Sequence, residues 1–64
     1  MSYYPDIQHG NFRNMSGIDH YIVQALRDGE WVTIKTFSGG FQWSQSRQFV
    51  RALHAEQQRK TMGA

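Results

Sequence analysis

A small two-layer α+β domain, an antiparallel β-hairpin packed against one C-terminal α-helix, is what three features of the sequence predict. Two runs rich in β-branched and aromatic residues, HYIVQALR (20–27) and WVTIKTF (31–37), flank Asp28-Gly29. That pair most readily takes the two positive φ angles of a type I′ turn. A Gly39-Gly40 break follows, and from about Ser44 to Lys60 the apolar residues recur with helical spacing.

Taken in chain order, residues 1–18 hold the only proline, Gly and Asn punctuators and scattered aromatics, with neither a strand nor a helix period. They are expected to form an irregular arm, with FRNMS (12–16) as the option for a third, short edge strand. Residues 19–61 form the expected ββα domain, the chain being one domain overall. If Asp28 and Gly29 are the loop, antiparallel register sets Arg27 against Glu30, Leu26 against Trp31, Ala25 against Val32, Val23 against Ile34 and Tyr21 against Thr36. One face then carries Tyr21, Val23, Ala25, Val32 and Ile34 and is the better core face. The other mixes Ile22, Gln24, Leu26, Trp31, Thr33, Lys35 and Phe37.

The stretch FSGGFQWSQSR (37–47) lacks the glycine spacing and Lys-Ser/Thr of a phosphate loop and is not the G-x-G-x-x-G of a dinucleotide fold. It is expected to be a corner, with either Phe41 or Trp43 packed inward. Ser44 or Ser46 is the expected cap of the helix that follows. Phe49, Val50 and Leu53 share one arc of that helix, extended towards its start by Gln42 and Trp43. The last turns are polar, and Met62–Ala64 are expected to fray.

Sixty-four residues allow one thin core, since a chain of this size buries only roughly 60% of the surface it exposes when unfolded. Nine aromatics can supply much of that burial. The lack of cysteine removes disulfides, thiolate metal sites and cysteine nucleophiles, and no apolar run is long enough to span a membrane. A cytoplasmic setting is expected. The net charge of +2 is unevenly spread, residues 1–30 carrying −2 and residues 31–64 carrying +4, which permits an anionic partner for the C-terminal half.

No catalytic residues, metal site or cofactor are assigned. His9, His20 and His54 have neither an i, i+4 pair nor a C-x-x-C companion. Asp19, His20 and the serines 38, 44 and 46 come with no nucleophile elbow or oxyanion hole. Asp28 and Glu30 read as turn chemistry around a glycine.

Two surfaces remain. Arg47, Arg51, His54 and Gln58 line one stripe of the helix, with Arg59 and Lys60 to its side, a pattern that can track phosphates. The second hairpin face, Ile22, Leu26, Trp31, Lys35 and Phe37, points away from a single helix. It must be covered by the arm, by a second copy or by a partner, and a large aromatic such as Trp31 is a natural anchor for a partner protein. From Tyr21 to Leu53 the strand–strand–helix order resembles, in topology alone, the end of small three-strand-plus-helix DNA-binding modules of the integrase arm-binding and plant AP2 types. The strand faces here carry no rows of Arg and Lys like those such sheets present, so no residue roles transfer.

The expected function is therefore that of a small non-enzymatic binding protein, an inhibitor or regulator docking on a larger protein in the manner of phage or mobile-element accessory proteins. Its contact residues are Ile22, Leu26, Trp31, Lys35 and Phe37. The alternative is a nucleic-acid-binding module using Arg47, Arg51, Arg59 and Lys60. Homodimerisation through the hairpin is a third option.

Overall fold

The computed structural model describes residues 3–62, and side chains over 3–60. The elements are β1 (Tyr4–His9), β2 (Phe12–Ser16), β3 (His20–Arg27), β4 (Glu30–Ser38) and α1 (Gln42–Met62). The strands form one antiparallel sheet in the order β1-β2-β3-β4, and α1 lies across one face of it, giving a small α+β domain. Gly63 and Ala64, expected to fray, lie outside the described residues; Met62 is the last residue of α1.

Turn chemistry explains the strand connections. Asp28 (φ 53°) and Gly29 (φ 80°) both take positive φ, as a type I′ turn requires. Gly10 (φ 60°) and Asn11 separate the paired residues His9 and Phe12, which is the arrangement of a hairpin turn with glycine in its first loop position. The stretch expected to be an irregular arm is therefore a hairpin, and its FRNMS segment is a full inner strand rather than an edge. The Gly10-Asn11 dipeptide was the available signal. Two features hide the strand period. A bulge shifts the β1–β2 register between Pro5 and Gln8, and Asn14 puts a polar side chain at a core position.

Alternation from the paired residues Asn14 and Val23 sorts the sheet into two faces. Both are wholly buried, and Asn14 hydrogen-bonds to Ser46 of α1, so this is the helix-covered face. Val23, Ala25 and Val50 supply its apolar centre, while Ile22 is buried on the opposite side. Val32, near the Asp28-Gly29 end of edge strand β4, stays 42% exposed, whereas α1 packs on β4 farther along, at Phe37.

The turn sets the β3–β4 register only part of the way. Arg27–Glu30, Leu26–Trp31 and Ala25–Val32 pair as expected, followed by Gln24–Thr33. A bulge at Ile34 then inserts one residue, so Val23 pairs with Lys35 instead of Ile34, and Tyr21 with Phe37 instead of Thr36. One extra residue reverses the facing of everything beyond it. Phe37 accordingly meets Phe49 of α1 edge-to-face at 5.6 Å between ring centroids.

The start of α1 also differs from expectation. The first turn closes by Gln45 N–H donating to the Phe41 carbonyl at 3.0 Å, so the helix begins two residues before Ser44. Ser46 is no cap: its hydroxyl donates back to the Trp43 carbonyl at 2.9 Å from inside the helix. Neither candidate staple ring is buried, Phe41 being 77% and Trp43 48% exposed. Gly39, at φ 103°, makes the corner between β4 and α1. Among the described residues, no helix is long and apolar enough to cross a membrane.

Candidate binding surface

The sheet face opposite α1 collects Arg13 and Met15 from β2, Ile22, Gln24 and Leu26 from β3, and Trp31 and Thr33 from β4. The N-terminal hairpin joins the sheet as two more strands, so it widens this face instead of folding over it. Ile22 lies at its centre, 8% exposed; Met15, Leu26 and Trp31 are half-buried around it.

Trp31 is not left free. The Arg13 guanidinium lies 4.0 Å from the indole centroid, a cation–π contact of about 0.5–1 kcal/mol at a site of this exposure. Arg13 Nε donates to Gln24 Oε1 at 2.9 Å, and Gln24 Nε2 donates to Thr33 Oγ1 at 3.3 Å. This chain of bonds crosses β2, β3 and β4 and fixes the guanidinium over the ring. Among the described strand residues, Arg13 is the one formally charged side chain that alternation puts on this face. Sequence reasoning missed it, because Arg13 meets Gln24 only once residues 12–16 are an inner strand paired with β3.

Of the five residues expected on this surface, Ile22, Leu26 and Trp31 share it. Lys35 and Phe37 do not. The Ile34 bulge turns both to the helix side, where the Lys35 ammonium sits 5.8 Å from the Phe37 ring centroid.

The expected basic stripe on α1 is also divided. Arg47 forms a two-pronged pair with Asp6 of β1, Nε to Oδ2 at 2.8 Å and Nη2 to Oδ1 at 2.6 Å, and stacks 4.1 Å from the Trp43 ring centroid. The pair is mutual. The Arg47 guanidinium holds the Asp6 carboxyl below the usual carboxylate range, aided by a hydrogen bond from Asn14 and opposed by burial, while Asp6 raises the pKa of Arg47. His54 turns inward as well, its ring stacked on His9 at 5.6 Å, and its Nδ1 is buried without a hydrogen-bond partner. Arg51, Arg59 and Lys60 stay exposed; Lys60 sits 3.9 Å from Glu56, a spacing worth little in water.

Asn14 joins these parts. Its amide nitrogen donates to Ser46 Oγ (2.8 Å) and Asp6 Oδ2 (3.0 Å), and its oxygen accepts from the Ile7 backbone N–H (2.8 Å). One side chain thus ties β1, β2 and α1 together. Among the described residues, no three His, Asp or Glu side chains converge as ligands of a metal would. Compared with family models, curated proteins and solved structures, the chain matches none of them.

Proposed function

We propose that this chain is a small non-enzymatic protein-binding module, an inhibitor or regulator, that docks on a larger protein through the sheet face opposite α1. Trp31 is the anchor, Met15, Ile22 and Leu26 form the apolar ground around it, and Arg13 supplies the cation. The observation that supports this reading best is the indole held under the Arg13 guanidinium on a face over which no element among the described residues forms a second layer. A large aromatic already held in one conformation loses less rotamer freedom on binding, which favours affinity. With Arg13 as the charge on that face, the fitting partner is an apolar patch rimmed by carboxylate.

The test is capture from host lysate with wild type, Trp31→Ala and an Arg51→Ala/Arg59→Ala double variant. A protein retained by the helix variant and lost by Trp31→Ala supports the reading, with a weakening of about thirtyfold or more in a titration of the purified pair, as expected for a central anchor. An unchanged catch with Trp31→Ala overturns it. The alternative, a nucleic-acid module, rests on exposed Arg51, Arg59 and Lys60 alone, since Arg47 is already paired with Asp6. Nucleic acid captured by wild type, lost at raised salt and lost by the double variant is the outcome that favours it.

A further inference from the structure

At the end of the sheet away from Trp31, three side chains form a line. The Tyr3 hydroxyl lies 3.0 Å from His20 Nε2, and His20 Nδ1 lies 3.2 Å from Asp19 Oδ1. An ionised carboxylate can only accept, so Asp19 selects the tautomer with the proton on Nδ1. Nε2 is then the acceptor and the phenol is the donor. The rings meet edge-to-face at 5.6 Å and 80°. The approach depends on Gly17, where a Cβ would stand 2.9 Å from both His20 Cε1 and Tyr3 Cε1. Gly17 N–H in turn donates to the His20 carbonyl at 2.7 Å, closing the β2–β3 connection that brings His20 to this position.

A hydroxyl within reach of a base that a third group orients is the arrangement of an activated nucleophile. We infer that Tyr3 is such a nucleophile and a covalent acceptor site for a neutral acyl group. The phenol oxygen bonds to the acyl carbon as its proton passes to His20 Nε2. Asp19 stabilises the imidazolium that forms. The bond from the acyl carbon to the leaving group then breaks, and the leaving group takes the proton from Nε2, giving the tyrosyl ester and the protonated leaving group. The process is stoichiometric, one acyl group per chain. A neutral donor is favoured because the Asp19 carboxylate, 90% exposed beside the site, repels an anionic one, though only weakly through water. Among the described residues, no Lys or Arg pairs with any of the three.

Tyr4 makes the test sharp. It is 69% exposed against 38% for Tyr3, so accessibility alone makes Tyr4 the faster to modify. The experiment treats the full chain with N-acetylimidazole near neutral pH and maps the rate at each tyrosine by mass spectrometry. Tyr3 is expected to acetylate about tenfold faster than Tyr4, a modest share of what a positioned base can contribute. His20→Gln, which can still hydrogen-bond but cannot take the proton, is expected to bring Tyr3 to or below the Tyr4 rate. Asp19→Asn, at an exposed position where folding is not at issue, is expected to slow Tyr3 severalfold while Tyr4 is unchanged. Acetyl phosphate, an anionic donor of the same group, is expected to show a smaller Tyr3 preference at low ionic strength. Faster acetylation of Tyr4 in the wild type, an unchanged Tyr3 rate in both variants, or a Tyr3 preference undiminished with acetyl phosphate at low ionic strength overturns the inference.

Discussion

Asn14 shows how much one side chain carries in a domain this small. It is wholly buried and uses its amide nitrogen twice and its oxygen once, on partners in β1 and α1. Asn14→Ala removes all three bonds and leaves the Ile7 N–H with no side-chain acceptor. The expected cost is about 1–3 kcal/mol, the price of leaving buried polar groups unpaired, read as a lower urea midpoint with little change in slope. Arg13 and Trp31 are the contrasting case. They sit half-buried on the face opposite α1, so under the proposed function their removal is expected to affect binding more than folding.

Among the elements, the two hairpin turns make different demands on their glycines. Gly29 has φ 80° with no atom within 4 Å of where a Cβ would stand, so Gly29→Ala carries only the backbone penalty of about 1–2 kcal/mol. Gly10 has φ 60°, and a Cβ there would lie 2.9 Å from His54 Nδ1, a ring already stacked on His9. Gly10→Ala is therefore expected to be the more destabilising of the two in denaturant melts, and equal midpoints would contradict the close approach of β1–β2 to α1. Strand β4 makes a related point about registers. Its bulge at Ile34 leaves Trp31 on the open face and turns Lys35 and Phe37 to the other, so one strand serves both a surface and the core.

For the molecule as a whole, α1 is joined to the sheet by polar ties as well as by a thin apolar core of Val23, Ala25 and Val50. The Asp6–Arg47 pair makes that attachment pH-dependent. The folded pKa of Asp6 is depressed, so its contribution is fully present above the unfolded carboxylate value of about 3.9 and is lost as pH falls through the lower folded value. Asp6→Asn is expected to be less stable than wild type at neutral pH, with the gap narrowing as pH falls through that window. A gap that stays constant from neutral pH to about pH 2 would mean that the charge on Asp6 does not contribute.

The hairpin at Asp28-Gly29, the helix after Gly39-Gly40 and the α+β class were all legible in the chain, because each rests on residues adjacent or one turn apart, where backbone preference and side-chain period act directly. The Gly10-Asn11 turn was legible too, but a bulge and a buried asparagine masked the period around it. What three-dimensional packing alone decided was which groups meet. Asn14 and Ser46 are 32 residues apart and Asp6 and Arg47 are 41 apart, and no local preference names such partners. The same holds for the face on which Lys35 and Phe37 emerge. A bulge is one extra residue fitted to the strand beside it, so where it falls depends on side chains brought together across the sheet and against α1, as Phe37 is with Phe49.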